Sequence, residues 1–122
     1  MVAARGRDEM TITNGTEKQI AWATTIKTAA LASWGRFIAT LEARRESPER
    51  TAYIAMLRTI ADHAATCTDA RAWIDARSGD GAHPGLIIAH LPGYATSRHF
   101  TQAHGMDPMQ AKGAFDALAV AQ

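Results

Sequence analysis

Apolar residues recur at Ile20, Ala23, Ile26, Ala30, Trp34, Phe37, Ile38 and Leu41, at spacings of three and four that mark one face of a helix. Trp22 and Leu31 lie off the strict stripe and widen it. The helix has a clear start. Thr16 is a good N-cap, and Gln19 stands three residues on, a capping-box pair in which each side chain satisfies an orphan amide of the first turn. Glu17 places an acid near the positive end of the helix dipole. The pattern over residues 16–46 fits one long helix or two. Thr24, Thr25 and Thr28 lower its propensity, and Gly35 costs about 1 kcal/mol relative to alanine, so a bend at either place is compatible with the sequence.

Ser47-Pro48-Glu49 is a second start: a serine cap, proline at the first helical position and an acid in the first turn. Tyr53, Met56, Leu57, Ile60 and Ala64 form its apolar stripe, which runs out near Thr66. Thr68-Asp69 opens a short third helix through Trp73 and Ile74 to Arg77, stopped by Ser78-Gly79-Asp80-Gly81. Asp107-Pro108 repeats the cap-plus-proline signal, and Ala111, Phe115, Leu118 and Ala119 give the last helix its apolar face. The pattern predicts an all-α bundle of four or five helices, over about 16–46, 47–66, 68–78 and 107–121. A short link makes the first pair antiparallel. The expected core is Ile20, Ile26, Trp34, Phe37, Leu41, Tyr53, Leu57, Ile60, Trp73, Ile74, Phe115 and Leu118.

Two stretches stand apart. Residues 1–13 are polar, mixed in charge and aperiodic, and read as a flexible or loosely docked arm ahead of a single domain over 14–122. Residues 79–106 hold Gly79, Gly81, Pro84, Gly85, Pro92, Gly93 and Gly105 with four of the five histidines. They read as a loop segment. Within it, Leu86-Ile87-Ile88-Ala89 fits a short strand or a buried turn, and periodicity does not choose between them.

Composition narrows the function classes. At 122 residues the chain supports one hydrophobic core. The net charge of +1 sets up no global field to steer a nucleic acid or an anionic membrane. Cys67 is the only cysteine, which excludes an intrachain disulfide and a cysteine zinc cluster. No stretch approaches the roughly 20 apolar residues of a membrane span, and Met1–Met10 does not read as a secretory signal. A cytoplasmic, reduced location is the expectation.

Chemical motifs are sparse. His63 and Cys67, four apart, share a helix face, but two ligands do not make a zinc site. His83, His90, His99 and His104 follow no short zinc spacing, so no metal and no cofactor is expected. Ser97 lies two residues from His99, a pairing common by chance, and no G-x-S-x-G elbow or phosphate loop is present. The chain therefore reads as a non-enzyme. Arg44, Arg45, Arg50 and Arg58 cluster at the first interhelical turn among Glu42, Glu46 and Glu49, which pair much of that charge locally. Tyr94, Arg98, His99 and Phe100 mix aromatic and basic side chains in the manner of interfaces.

Two segments carry a family resemblance. Gly15-Thr16-Glu17-Lys18-Gln19-Ile20-Ala21-Trp22-Ala23, continuing to Ile26-Lys27, resembles the opening of a group of small bacterial, plasmid and phage proteins whose function is unknown. Thr68-Asp69-Ala70-Arg71-Ala72-Trp73-Ile74-Asp75-Ala76-Arg77 resembles that group's second landmark. Residues 79–106 are longer than the group's counterpart. Both landmarks read as packing motifs, with any ionic contact of Asp75 and Arg77, with each other or with Lys18, serving structure. The resemblance implies a mobile-element or phage provenance and action by binding a larger complex.

The expected function is a helical binding protein that acts through protein–protein contact, in one form as an inhibitor of a CRISPR-type host defence complex. The alternative is a nucleic-acid accessory protein using the arginine corner. A third is a small histidine-dependent metalloprotein or hydrolase. The candidate contact residues are Tyr94, Arg98, His99 and Phe100, with Arg44 and Arg45 at the corner. Loops longer than about 12–15 residues are uncommon unless functional or disordered, which points to 79–106. The competing expectation for that segment is that Leu86–Ile88 and Phe100 bury themselves and close the core.

Overall fold

The computed structural model describes residues 11–44, 47–78, 81–91, 93–94 and 96–121. Six helices account for 72% of the described residues, against about one third in an ordinary globular protein. They are α1 (Glu17–Glu42), α2 (Pro48–Ala65), α3 (Ala70–Ala76), α4 (Pro84–Ile88), α5 (Ser97–Ala103) and α6 (Pro108–Val120). Between α3 and α4, β1 (Arg77–Ser78) and β2 (Gly81–Ala82) form a minimal antiparallel ribbon, with Arg77 opposite Ala82 and Ser78 opposite Gly81.

The predicted starts hold. The Thr16 hydroxyl accepts from Gln19 N at 3.2 Å while Thr16 N donates to Gln19 Oε1 at 3.0 Å, closing the capping box. Ser47 caps α2 by accepting from Arg50 N at 3.1 Å, with Pro48 in the first turn. Asp69 caps α3, and Asp107 caps α6. Through the threonines and Gly35, α1 is one continuous helix of 26 residues. Thr24, Thr25 and Thr40 return their hydroxyls to the carbonyl four residues back, which keeps the competing hydrogen bond within the helix.

The long helix α1 packs against α2, α3, β2 and α6, and α4 sits among α2, α3, α5 and α6. Trp34 and Trp73 occupy the centre and are fully buried, with Leu57, Ile60, Ile87, Ile88, Phe100 and Leu118 around them. Of the expected core, Ile20, Phe37 and Tyr53 lie at its margin, half-buried.

Residues 79–106 differ most from expectation. Leu86–Ile88 is neither strand nor turn but part of α4, started by Pro84 at the first position and by His83, whose Nδ1 accepts from Gly85 N at 3.1 Å. Ile87 and Ile88 are fully buried. Thr96 caps α5 by accepting from His99 N at 3.0 Å. That helix ends in paired bonds from Met106 N to Thr101 O (3.0 Å) and from Gly105 N to Gln102 O (3.2 Å). Gly105 has the left-handed φ of 65° that this terminator uses. The described part of the segment is therefore β2 and two short helices, which bury Ile87, Ile88 and Phe100 in the core.

Of the N-terminal arm, residues 1–10 lie outside the described residues. Its end is docked rather than loose. Ile12 is buried, Thr13 N donates to Thr68 O at 2.9 Å, and Ala70 N donates to Asn14 O at 2.9 Å. These bonds pin the chain beside the start of α3.

Candidate binding surfaces

The structure divides the predicted contact residues. Tyr94, His99 and Phe100 come together, joined by His63 from α2 and His104 at the end of α5. The rings of Tyr94 and Phe100 lie 5.0 Å apart edge to face, and those of Tyr94 and His99 lie 6.0 Å apart. Phe100 is corrected from contact to core residue. It is 0% exposed, wedged against His63 at 5.1 Å, His104 at 4.4 Å and Phe115 at 6.5 Å. A side chain so enclosed has no area left to offer a partner. Tyr94 is half-buried and its hydroxyl lies 3.0 Å from His104 Nε2. Arg98 and His99 are exposed on α5.

Arg44 lies elsewhere, at the corner between α1 and α2. It is exposed and lines a surface groove of about 400 Å³ with Leu41, Glu42, Arg50, Thr51 and Ile54. Arg45 lies outside the described residues. The local pairing expected there is present in the Arg58–Glu42 ion pair.

A second surface was not singled out by sequence reasoning. Trp22 is 48% exposed on α1, and the Arg77 guanidinium lies 4.9 Å from its ring centre. Arg77 is held by a bond from Nη1 to Ile74 O at 3.0 Å. Asp75 pairs with Arg71 at 3.2 Å rather than with Arg77. The exposed stack thus joins the two landmark segments, which also meet where the Asn14–Asp69 bridge lies beside Gly15 and Ala70. Elsewhere on α1, Lys27 is buried and its ammonium lies 5.7 Å from the centre of the Trp73 ring. The signal in the sequence was the position of Trp22, between the stripe residues Ile20 and Ala23 but pointing off their face.

The chemistry-bearing side chains are constrained. Cys67 is buried, and burial pushes its thiol above the ordinary value, with the Asp69 backbone amide pulling partly back. His63 Nδ1 donates to Thr59 O at 2.8 Å. Burial and then the neighbouring His63 hold His104 below the ordinary imidazole value. His83 Nε2 lies 3.5 Å from Asp116, whose other oxygen takes Lys112 at 2.9 Å. Among the described residues, no three histidine, cysteine or acidic side chains gather as a metal-ligand set, and no helix is long and apolar enough to cross a membrane. No family model, curated protein or solved structure matches the chain.

Proposed function

We propose that the chain is a non-enzymatic protein-binding module whose contact surface centres on Trp22 and Arg77. The observation that supports this is the half-exposed indole held under a guanidinium on a long, capped helix. Tryptophan and arginine are among the side chains that most often carry interface energy, tryptophan through the large area it buries and arginine through its fork of five donors. The stack fixes both before a partner arrives, which lowers that cost further. Arg98 and His99 on α5 offer a second exposed polar and aromatic edge. The provenance implied by the resemblance favours a partner in a host complex, with inhibition of a CRISPR-type defence complex as the specific form of this reading.

The nucleic-acid reading rests on Arg44 and Arg50 flanking the corner groove. It is the weaker one, since the chain's net charge is only +1 and Arg58 is engaged by Glu42.

The test is retention of host-lysate components on the immobilised chain, compared with Trp22→Ala and Arg77→Gln. A discrete protein retained by the native chain and lost by both variants, with their circular dichroism unchanged, is the expected result. Retention of nucleic acid that falls steeply with salt would instead place the function at the arginine corner. Protein retention indifferent to both substitutions would move the contact away from Trp22.

A further inference from the structure

Three residues from separate parts of the fold pack their rings against Phe100: His63 on α2, Tyr94 before α5 and His104 at the end of α5. The His63 and His104 rings lie 4.7 Å apart, inclined at 70°. His63 Nδ1 is committed to the Thr59 carbonyl at 2.8 Å, which fixes the tautomer and leaves the lone pair on Nε2. That nitrogen has no hydrogen-bond partner among the described residues, yet it is not a buried unsatisfied atom, so it reaches solvent. Tyr94 Oη and His104 Nε2 lie 3.0 Å apart, close enough to serve one small ion from adjacent coordination positions.

From this juxtaposition we propose that His63, His104 and Tyr94 form a binding site for a divalent transition-metal ion of the zinc, nickel or copper type. The donor set decides the class. Two imidazoles suit borderline metals, and Tyr94 would join them as phenolate, releasing to solvent the proton of the Tyr94–His104 hydrogen bond that the ion replaces; magnesium and calcium ask for carboxylate and carbonyl oxygens. The backbone carbonyl behind His63 is the outer contact that orients a metal-bound imidazole and raises its basicity. Among the described residues, neither His63 nor His104 takes part in an ion pair that would compete, in contrast to His83 with its Asp116 partner. Phe100 beneath gives the rings a rigid, dry floor. Three protein donors leave a further coordination position open to water or to a side chain from a partner. A bound ion would tie Tyr94 and the end of α5 to α2. Short sequence spacings could not reveal the site, because its ligands stand 31 and 10 residues apart (63 to 94, 94 to 104).

The test uses the untagged full chain, stripped with chelator and titrated with zinc, nickel and copper ions by calorimetry, with thermal melts alongside. The expected result is one equivalent bound and a melting temperature raised by about 5 °C or more in metal excess. His104→Gln and His63→Gln should each lower the affinity at least tenfold, while His83→Gln and His90→Gln should not. His104 is exposed, so its variant should keep the native circular dichroism and remain interpretable even if His63→Gln folds poorly. Absence of one-to-one binding, or binding that survives His104→Gln in the folded chain, would overturn the proposal.

Discussion

The indoles of Trp34 and Trp73 lie 6.2 Å apart, tilted by 30°, and each spends its one hydrogen-bond donor on a backbone carbonyl outside its own helix. Trp34 Nε1 donates to Leu118 O and Trp73 Nε1 to Cys67 O, both at 3.0 Å and both buried. The first bond ties α1 to α6 and the second ties the body of α3 to the turn that precedes it. Phenylalanine at either position would keep most of the apolar bulk; at 73 it would leave the Cys67 carbonyl without its indole donor, whereas at 34 the Leu118 carbonyl would still accept from Ala121 N at 3.2 Å. Trp73→Phe should lose about 2–4 kcal/mol in urea unfolding, from the orphaned acceptor together with the lost volume, and Trp34→Phe about 1–3 kcal/mol, from the lost volume and one of two hydrogen bonds. The double variant should depart from additivity by at least about 0.5 kcal/mol, because the rings touch.

Gly15 has a φ of 139°, and a Cβ built there would come within 2.9 Å of the Ala70 methyl. Both features oppose any side chain, one through backbone strain and the other through a collision. Gly15→Ala should therefore destabilise by about 1–3 kcal/mol, although alanine normally stabilises relative to glycine. A thermal melt reads the sign. Shortening is not possible at Ala70 short of glycine, so Gly15→Ala combined with Ala70→Gly should recover part of the loss if the collision contributes.

Cys67 is 3% exposed, with its thiol pushed up by burial. The nucleophilic form is the thiolate, so the group is both inaccessible and protonated near neutral pH. A disulfide reagent should label it only at the rate at which the chain opens, and denaturant should raise that rate by orders of magnitude. Rapid stoichiometric labelling of the native chain at neutral pH would contradict the placement of Cys67.

Trp22 and Arg77 should behave in the opposite sense to the buried tryptophans. Removing the stack sacrifices a partly solvated cation–π contact, which is worth about 0.5–1 kcal/mol. Trp22→Ala should thus lower stability by no more than about 1 kcal/mol while abolishing partner retention. A loss several-fold larger would mean the indole is a core residue, whatever its exposure.

Legibility in the sequence followed length for the long helices and a recognisable cap for α3, which has only seven residues but opens at Asp69 and stops at a Ser-Gly-Asp-Gly run. Helices α1, α2 and α6 run for several turns, and their caps are of the kinds sequence rules describe, Thr16 with Gln19, Ser47 with Pro48 and Asp107 with Pro108. Helices α4 and α5 have five and seven residues, too few for a period to emerge. The cap of α4 is a histidine ring nitrogen, a role that composition does not advertise. Glycine and proline in this stretch read as loop markers, yet Pro84 starts a helix and Gly105 ends one. At the candidate surfaces, Tyr94, Arg98 and His99 were legible as residue types suited to contact. The approach of Arg77 to Trp22 was not, because it depends on the ribbon that turns the chain after α3.

The helix α5 gives the sharpest separation of structure from surface within one short stretch. Phe100 is fully enclosed by His63, Tyr94, His104 and Phe115, whereas Arg98 and Gln102, on either side of it in sequence, are exposed. Phe100→Ala should open a cavity that the surrounding rings cannot fill without breaking the Tyr94–His104 hydrogen bond, and should cost about 3–5 kcal/mol. Arg98→Ala and Gln102→Ala should stay within about 0.5 kcal/mol of the native chain, as surface substitutions do. Replacing Phe100 by leucine keeps more of the volume and should recover at least half of the loss. If Phe100→Ala melted like the native chain, the segment would have to be a free loop, and the closure of the core by α4 and α5 would be wrong. If Arg98→Ala were instead the costly change, the register of α5 would be rotated from the one in which Thr96 caps it.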